Sequence, residues 1–325
     1  MAIRSHTRLW TENILRLLIS LLLFFSFVTS FAKTSLETLP HHGDQSIISE
    51  LESAQNTLQI TMYGFTDKKI AATLIKKQSQ GVNVQLLIEN EPYKASGENT
   101  QIIRQLKNAG IIIHNNSSTF SLTHQKTILI DQKRAMILTG NFTYSGVYHQ
   151  RNFIITTDDT NVVKNLTELF EADWNQTHYF PAKNTAFITS PENSWQTLNQ
   201  LINNTYQTLD IYALEVNDKR IIHALLKKNI KTRILISHST RVIDKARLCQ
   251  HRIAIHRLTK LDQHAKALLK DYGLNNALAY VGSANLTYSS LSKNREVGML
   301  FSDKVALKKL NATFEKDWKN SISIC

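Results

Sequence analysis

A short motif occurs twice in this chain, and its repetition constrains the fold more than any other feature. Residues 124–131 read H-Q-K-T-I-L-I-D and residues 264–271 read H-A-K-A-L-L-K-D. His, Lys and Asp therefore have the same spacing within both copies, and the copies lie 140 residues apart. The residues between Lys and Asp are largely apolar, which is typical of a buried strand. Residues two apart on a strand share a face, so the His and Lys of each copy are expected to project side by side.

The repetition extends well beyond the motif. The block F-E-A-D-W at 170–174 matches F-E-K-D-W at 314–318, and other blocks recur at offsets of 140 to 151 that change only in loops. A repeat of this length is a domain rather than a solenoid unit. The alternation of helical and strand periodicity therefore predicts two tandem α/β domains, each a mixed β-sheet flanked by helices, at residues 46–180 and 192–325. The segments before each domain, residues 33–45 and 181–191, are predicted to be linkers.

The N-terminus is typical of a secretory signal peptide. Residues 1–32 contain three arginines, an apolar run at 17–28, and the small residues Ser30 and Ala32 at the expected cleavage positions. The apolar run is short for a membrane span, which needs about 20 residues. We expect a cleaved signal peptide and a secreted or periplasmic protein. Anchoring by an uncleaved N-terminal segment is the alternative.

Positive charge is concentrated in one part of the chain. The formal net charge is +12, and residues 219–260 contain twelve Lys or Arg and a single acid. A concentrated basic field attracts polyanions such as nucleic acids. A solvated basic face, or attraction to an anionic membrane surface, is the alternative.

The cysteine content excludes two classes of small domain. Cys249 and Cys325 are too few for a metal cluster or a disulfide framework. In an oxidising compartment they could form one disulfide, and two unpaired thiols are equally compatible with the sequence. No metal site and no cofactor are expected, since no carboxylate-rich motif is present.

The doubled motif resembles the signature of the phospholipase D superfamily, HxKxxxxD followed by GSxN. The resemblance covers both halves, and the first half is similar to the family's small bacterial secreted endonucleases, which dimerise to build one active site. This chain looks like such a dimer fused into one polypeptide. The resemblance implies a monomer with pseudo-twofold symmetry, in which both histidines face one cleft. It also implies metal-independent hydrolysis of a phosphodiester through a phosphohistidine.

The resemblance also assigns roles to individual side chains. One imidazole attacks phosphorus and the other protonates the leaving oxygen, while Lys and Asn side chains hold the non-bridging oxygens. The expected catalytic residues are His124, Lys126, Asn141, His264, Lys266, Asn285 and Glu296. The expected supporting residues are Asp131, Thr139, Asn152, Asp271 and Ser283. Each motif Asp would lie about 16 Å along a strand from its Lys, so we expect both aspartates to fasten a strand end rather than act as acids.

Two departures from the family pattern make the halves unequal. Leu138 replaces the first Gly of the GSxN segment in the first half. Eleven residues after the motif Asn, where the family has an acid, the second half has Glu296 and the first half has Asn152. In the family this acid contacts the His of the opposite half, so we expect Glu296 to support His124, and Asn152 to face His264. His124 is then the expected nucleophile and His264 the general acid and base. A degenerate site with weakened activity is the alternative.

A nuclease acting on DNA or RNA is the function that these features favour. The loops at 89–97 and 237–250 are polar or basic, whereas an enzyme acting on lipids would be expected to have apolar loops beside its cleft. The first alternative is a phospholipase D that hydrolyses or transfers phospholipid head groups. The second is a non-catalytic nucleic-acid-binding protein, against which the paired His and Lys residues argue.

Overall fold

Each half of the chain folds into a mixed sheet flanked by helices, as predicted from the repeat. The structure is a computed structural model, and it describes residues 32–89, 92, 97–115, 119–183, 185–238, 240 and 242–325. The predicted signal peptide, apart from Ala32, lies outside the described residues. Within the ranges given above, no helix is both long enough and apolar enough to cross a membrane.

The first half contains a sheet that is parallel at one side and antiparallel at the other. Its strands are β1 (Thr34–Leu39), β2 (Thr57–Met62), β3 (Asn83–Ile88), β4 (Ile112–Asn115), β5 (Thr127–Ile130), β6 (Arg134–Leu138) and β7 (Gln150–Thr157). They lie in the order β1-β7-β6-β5-β2-β3-β4, where β2, β3 and β4 are parallel and the other pairs antiparallel. The helices are α1 (Gln45–Ser53), α2 (Lys68–Ser79), α3 (Thr100–Asn108), α4 (Tyr144–Tyr148) and α5 (Thr160–Trp174).

The second half repeats this arrangement. Its strands are β8 (Phe187–Ser190), β9 (Thr208–Ala213), β10 (Lys231–Ile236), β11 (Ala254–Leu258), β12 (Asp262–Gln263), β13 (Ala267–Lys270), β14 (Leu278–Gly282), β15 (Glu296–Phe301) and β16 (Ser321–Ser323). The sheet order is β16-β11-β10-β9-β13-β14-β15-β8, with β9, β10 and β11 parallel, while β12 pairs with β7 of the first half. The helices are α6 (Ser194–Asn203), α7 (Lys219–Leu226), α8 (Lys245–Gln250), α9 (Tyr288–Ser292) and α10 (Lys304–Lys319).

The buried apolar residues form a shared inner core and one outer core for each half. The inner core combines side chains of α5 and α10 with residues from both sheets, including Phe153 and Tyr212, whose rings meet edge to face. Each outer core packs the remaining helices of one half against the other face of its own sheet. Since burial of apolar surface is the main favourable term in folding, the inner core makes the two halves one structural unit, residues 34–325.

Both predicted linkers contain strands, so the predicted domain boundaries are wrong at these points. In the first linker, β1 runs antiparallel to β7. In the second, β8 runs antiparallel to β15, so the second domain begins before residue 192. Both segments are edge strands, which are defined by hydrogen bonds to residues far away in the sequence rather than by their own pattern. A further difference is that β5 and β13 begin just after the motif lysines, so His and Lys precede the strands instead of lying on them.

The two cysteines form a disulfide, which selects one of the alternatives left open by the sequence. Cys249 at the end of α8 is bonded to Cys325, and the Cα atoms are 5.5 Å apart. The preceding strand, β16, pairs antiparallel with β11. The C-terminus is therefore attached to the second half both covalently and through the sheet.

The basic stretch at 219–260 does not form one continuous patch beside the cleft. The Arg233 guanidinium bonds to Asp210 at 2.7 Å and to Glu315 at 2.7 Å, and this neutralises its charge internally. Lys231 begins β10 and lies opposite Thr208, whose backbone N–H donates to Asp271. This end of the sheet is the one away from His264. Arg233 and Lys231 therefore do not add to a basic surface beside the cleft, and the expected attraction of residues 219–260 to a polyanion or an anionic membrane surface stays a prediction.

Candidate active site

The motif aspartates fasten strand ends, as predicted. The Asp131 carboxylate accepts hydrogen bonds from the backbone N–H groups of residues 55–57 at 2.7 to 3.2 Å, and Asp271 accepts from those of residues 206–208 at 2.7 to 3.3 Å. Burial works to raise the pKa of each carboxyl, but these donors outweigh it and hold both pKa values below the ordinary value. These bonds hold the chain entering β2 and β9 against the turns that follow β5 and β13.

Reciprocal backbone contacts bring the two histidines into one cleft. The backbone N–H of His124 donates to the carbonyl of Arg295 at 2.8 Å, and that of His264 donates to the carbonyl of Arg151 at 3.1 Å. Each histidine is thus bonded to the opposite half at or just before the start of a sheet strand, β15 for His124 and β7 for His264. Because the exchange is mutual, the site has the pseudo-twofold symmetry that the resemblance implied.

The side chains of the same two arginines also cross between halves. Arg151 Nε lies 2.6 Å from Asp317, and Arg295 lies 3.1 Å from Asp173 and 2.6 Å from Glu192. Burial, followed by the proximity of Glu192, raises the pKa of Asp173 to about 6, although Arg295 works in the opposite direction. The sequence interpretation missed these ion pairs. The signal was present, since both Arg and both Asp recur at an offset of 144 residues.

The two histidines have different partners. Glu296 Oε2 lies 3.0 Å from Nδ1 of His124, whereas Asn152 Oδ1 lies 3.2 Å from Nδ1 of His264. The Asn152 amide is oriented by two neighbours: its Nδ2 donates to the carbonyl of Gly146 at 3.0 Å, and its Oδ1 accepts from Thr139 Oγ1 at 2.8 Å. With Nδ1 engaged in both rings, Nε2 is the nitrogen left for chemistry.

The supporting hydroxyls lie beneath these partners. Thr139 Oγ1 also accepts from the backbone N–H of Phe153 at 2.9 Å, and Ser283 Oγ accepts from the backbone N–H of Val297 at 3.1 Å. Both hydroxyl residues are fully buried. They fix the strand that carries Asn152 or Glu296 and so position the partner of each histidine.

The two lysines are buried beside the histidines. Lys126 Nζ donates to the carbonyl of His124, and Lys266 Nζ donates to the carbonyl of His264 at 2.7 Å. Burial lowers the pKa of Lys126 well below its ordinary value, and it lowers that of Lys266 to about 7 even though Glu296 and Glu215 oppose the shift. Each ammonium group is a desolvated cation, which would be stabilised by a bound phosphate.

The pKa values of the two histidines and of Glu296 also depart from their ordinary values. Burial, together with the nearby lysines, lowers the pKa of His124 despite Glu296, and lowers that of His264 well below its ordinary value. Burial alone would raise the pKa of Glu296, but the charge and hydrogen bond of His124 hold it at about 2. In the free enzyme, burial and the lysines therefore disfavour charge on both imidazoles, and only the His124 ring has a carboxylate beside it to oppose this effect.

Asn141 and Asn285 take equivalent places at the cleft. The Oδ1 atom of each is buried and has no hydrogen-bond partner in the described part of the chain. The side chain of Asn141 packs against Gly64, where an added Cβ would lie 3.3 Å from it. Both amides therefore have polar atoms available to a ligand that enters between the halves.

A cavity of about 420 Å³ opens beside His124. Its lining is mostly polar or aromatic and consists of Tyr63, Leu122, His124, Glu215, Asn217, Asn285, Thr287, Tyr288, Ser289, Ser290 and Asn294. Several of these residues were not predicted. The ring of Tyr63 lies 4.8 Å from that of His124 in an edge-on arrangement, and Asn294 Nδ2 donates to Glu296 at 3.3 Å. Glu215 stands where the first half has Gly64, so it is a second difference in charge between the halves.

The Leu138 departure has a packing reason. A Cβ atom at Gly282 would lie 2.4 Å from Tyr280 Oη, so glycine is needed there to make room for a buried phenol ring. The residue equivalent to Tyr280 in the first half is Met136, and it packs in one apolar cluster with Leu138. Leu138 and Met136 therefore fill the space that Gly282 and Tyr280 fill in the second half, and Asn141 keeps its place.

Comparison with known proteins agrees with this geometry. A family model described as "Cardiolipin synthase, PLD-like domain" matches residues 47–174 and 198–318. Mitochondrial cardiolipin hydrolase of Xenopus tropicalis is 29% identical over 148 residues, which are 44% of this chain and 67% of that protein. A protein named phospholipase D from Rickettsia typhi is 28% identical over 116 residues, 35% of this chain, and the match spans only 53% of the rickettsial protein.

The fold is shared with a solved structure over most of its length. Phosphatidylserine synthase from Haemophilus influenzae Rd KW20 aligns with a TM-score of 0.69 over 89% of this chain and 87% of that chain, at 11% sequence identity. The two family matches account for one copy of the domain in each half. The chain therefore belongs to the phospholipase D superfamily and is a phosphodiesterase of the hydrolase class.

Proposed function

We propose that the protein hydrolyses phosphodiesters in two steps without a metal, with His124 as nucleophile and His264 as general acid and base. The observation that carries the proposal is the unequal pairing of the two Nδ1 atoms, with the Glu296 carboxylate on His124 and the neutral Asn152 amide on His264. An imidazole that attacks phosphorus acquires positive charge, which an adjacent carboxylate stabilises. The first half of the cleft thus supplies the better nucleophile.

In the first step, Nε2 of His124 attacks phosphorus. A P–N bond forms, the bond to the leaving oxygen breaks, and that oxygen takes a proton from Nε2 of His264. Burial and the lysine charges lower the pKa of His264 in the free enzyme, but the bound phosphodiester anion offsets those charges, so His264 enters this step as the imidazolium. In the second step, His264 accepts a proton from water, the water oxygen attacks phosphorus, and the P–N bond breaks. Lys126 and Lys266 neutralise the non-bridging oxygens, since both ammonium groups are buried beside the histidines.

Nucleic acid is the substrate that we favour. The cavity beside His124 has one aliphatic side chain, Leu122, among otherwise polar, charged or aromatic ones, and such a lining suits a polar polymer better than acyl chains. The basic stretch gives weaker support than the sequence indicated, because Arg233 is paired internally. In keeping with the N-terminal sequence, we place the enzyme outside the cytoplasm, either secreted or periplasmic.

A phospholipid substrate is the second candidate. It is supported by the names of the matched family model and relatives, cardiolipin synthase, cardiolipin hydrolase and phospholipase D. Both substrates present the same phosphodiester group, so the site chemistry is common to them. The choice between them lies in what contacts the rest of the substrate.

A panel of substrates assayed with EDTA present tests the proposal. The purified enzyme would be given single-stranded DNA, plasmid, RNA, and vesicles of phosphatidylcholine or cardiolipin, with His124→Ala as the inactive control. We expect cleavage of nucleic acid by the wild type alone, and no effect of EDTA. Cleavage of lipid without cleavage of nucleic acid would refute the substrate assignment, and loss of activity in EDTA would refute the metal-free mechanism.

A further inference from the structure

Two exposed tyrosines occupy equivalent positions beside the cleft. Tyr144 is 65% exposed and Tyr288 is 53% exposed, although large aromatic side chains usually lie mostly inside a protein. Each is the first residue of a short helix, α4 or α9, and follows the cleft residue Asn141 or Asn285 by three positions. Tyr288 lines the cavity at His124, and the repeat gives Tyr144 the equivalent place in the other half.

Helix caps fix both tyrosines relative to the cleft. Thr143 Oγ1 accepts from the backbone N–H of Gly146 at 3.0 Å, and Thr287 Oγ1 accepts from that of Ser290 at 3.1 Å. A capping bond of this kind defines where the first turn begins. Since the capping residue directly precedes each tyrosine, the backbone that carries each ring is held in place.

The ring of Tyr288 is supported from behind. The guanidinium of Arg220 lies 4.9 Å from the Tyr288 ring centroid and 4.2 Å from that of Trp195. Arg220 is itself held by Asp218 at 2.6 Å and by Ser292 at 2.9 Å. This stack orients the phenol ring while leaving more than half of the side chain exposed.

Tyr144 has comparable support from different residues. Its ring centroid lies 5.1 Å from that of Tyr148 and 4.9 Å from that of His149. Lys69 Nζ lies 5.6 Å from the Tyr148 ring. In the second half, the exposed Lys293, equivalent to His149, has its Nζ 5.6 Å from the Tyr288 ring. Each rim thus combines a held aromatic ring with basic side chains.

Tyr288 and the catalytic residue His124 share one cavity. It lines the same cavity as His124 and Asn285. A substituent of a phosphodiester held at His124 can therefore reach the ring. The repeat places Tyr144 in the corresponding position beside Asn141 in the other half.

We propose that Tyr144 and Tyr288 are stacking platforms for two bases of a single-stranded nucleic acid, one on each side of the phosphodiester held between the histidines. Aromatic rings beside basic side chains are the usual means of holding single strands without sequence preference, because every base has a flat face. The proposal rests on the proposed function, since it assumes that the substrate is nucleic acid. It adds the strand type and the residues that hold it.

The test combines variants with abasic substrates. Cleavage of a single-stranded oligonucleotide would be measured for wild type, Tyr144→Ala, Tyr288→Ala, the double Ala variant and the corresponding single Phe variants. We expect each Ala variant to lose roughly five- to a hundredfold in kcat/KM, and each Phe variant to retain activity because the ring remains. On a strand with abasic residues on both sides of the cleaved bond, the wild type should fall to the level of the double Ala variant, and the Ala changes should cost nothing further.

Tyr206→Ala serves as a matched control. Tyr206 is 72% exposed and has Lys270 Nζ 5.7 Å from its ring, but it lies at the far end of the sheet beside Asp271. This variant should cleave the normal and the abasic oligonucleotide at the same rates as the wild type does.

Three outcomes would overturn the proposal that Tyr144 and Tyr288 stack on bases. The Ala variants could cleave normal strands at the wild-type rate, they could lose equal activity on the abasic strand, or they could be impaired only on lipid vesicles. A wild type that cleaves no nucleic acid is a different result, because it would refute the proposed substrate itself.

Discussion

The Glu296 carboxylate lies 3.0 Å from Nδ1 of His124, and the equivalent contact in the other half, from Asn152 to His264, is made by a neutral amide at 3.2 Å. The family fold is nearly symmetric, so this difference gives the two imidazoles different electrostatic environments. A carboxylate stabilises the cation formed when His124 is phosphorylated, and an amide does not. His124 is therefore expected to be the nucleophile in every turnover, and His264 the general acid and base.

Replacing Glu296 by Gln should slow formation of the phosphoenzyme by roughly 10² to 10⁴-fold. The amide keeps a hydrogen-bonding atom near His124 but loses the charge. The measurement is the single-turnover rate, with unfolding followed in parallel to check that the buried substitution leaves the fold intact. The matched change Asn152→Asp should raise the pKa of His264 instead. If Glu296→Gln reacted at the wild-type rate, the assignment of His124 as nucleophile would lose its basis.

The pKa of Lys266, lowered by burial to about 7, predicts a limb in the pH profile. The free enzyme loses the Lys266 cation as pH rises through 7, so kcat/KM should fall above that pH. A bound phosphate stabilises the cation, so the corresponding limb in kcat should lie at higher pH. Lys266→Arg keeps its charge at all these pH values and should lack the limb. A limb that is unchanged in Lys266→Arg would show that another group produces it.

The same shift predicts how stability depends on pH. The folded state releases the Lys266 proton near pH 7, whereas the unfolded chain keeps it up to about 10.5. Between these values the unfolded state binds more protons, so the free energy of unfolding should rise with pH through this window. In Lys266→Met the rise, measured by denaturant titration at several pH values, should be smaller. An equal rise in the variant would contradict the assignment to Lys266.

Glu215 is a carboxylate in the lining of the cavity, at a place where the first half has Gly64. Since it lies beside His124 in the lining, it should repel a polyanion. Glu215→Gln should therefore raise kcat/KM for an oligonucleotide by about two- to tenfold at low salt, and high salt should remove most of the difference by screening. Glu171→Gln, on α5, is a control for the overall change in charge. A gain that does not depend on salt would contradict the electrostatic explanation.

The motif aspartates should matter for stability more than for chemistry. Asp131→Ala leaves three backbone N–H groups without their acceptor, and Asp271→Ala does the same at the equivalent turn. We expect each variant to lose about 1–3 kcal/mol of unfolding free energy, with kcat largely retained at low temperature. A well-folded variant with abolished kcat would instead indicate a direct role in the reaction.

The sequence was sufficient to predict the duplicated α/β fold, because the same blocks recur in both halves. It also predicted the structural use of Asp131 and Asp271, because each lies too far along the chain from its Lys to share in the chemistry. The resemblance predicted the contact between Glu296 and His124. The sequence did not predict the edge strand β1, since its hydrogen bonds are made to β7, more than a hundred residues away. Nor did it predict that Arg233 is neutralised by Asp210, because net charge in a stretch of sequence carries no information on partners from other strands.

The central claim, that His124 carries the phosphoryl group, is tested most directly by trapping the intermediate. A substrate labelled on phosphorus would be mixed with wild type and with His264→Ala, which should form the intermediate slowly but hydrolyse it more slowly still. The reaction would be stopped in alkaline denaturant, in which phosphohistidine survives, and the labelled peptide would be mapped. We predict label on His124 in both proteins and none in His124→Ala. Label on His264, or hydrolysis in a single step with no labelled protein, would contradict the account.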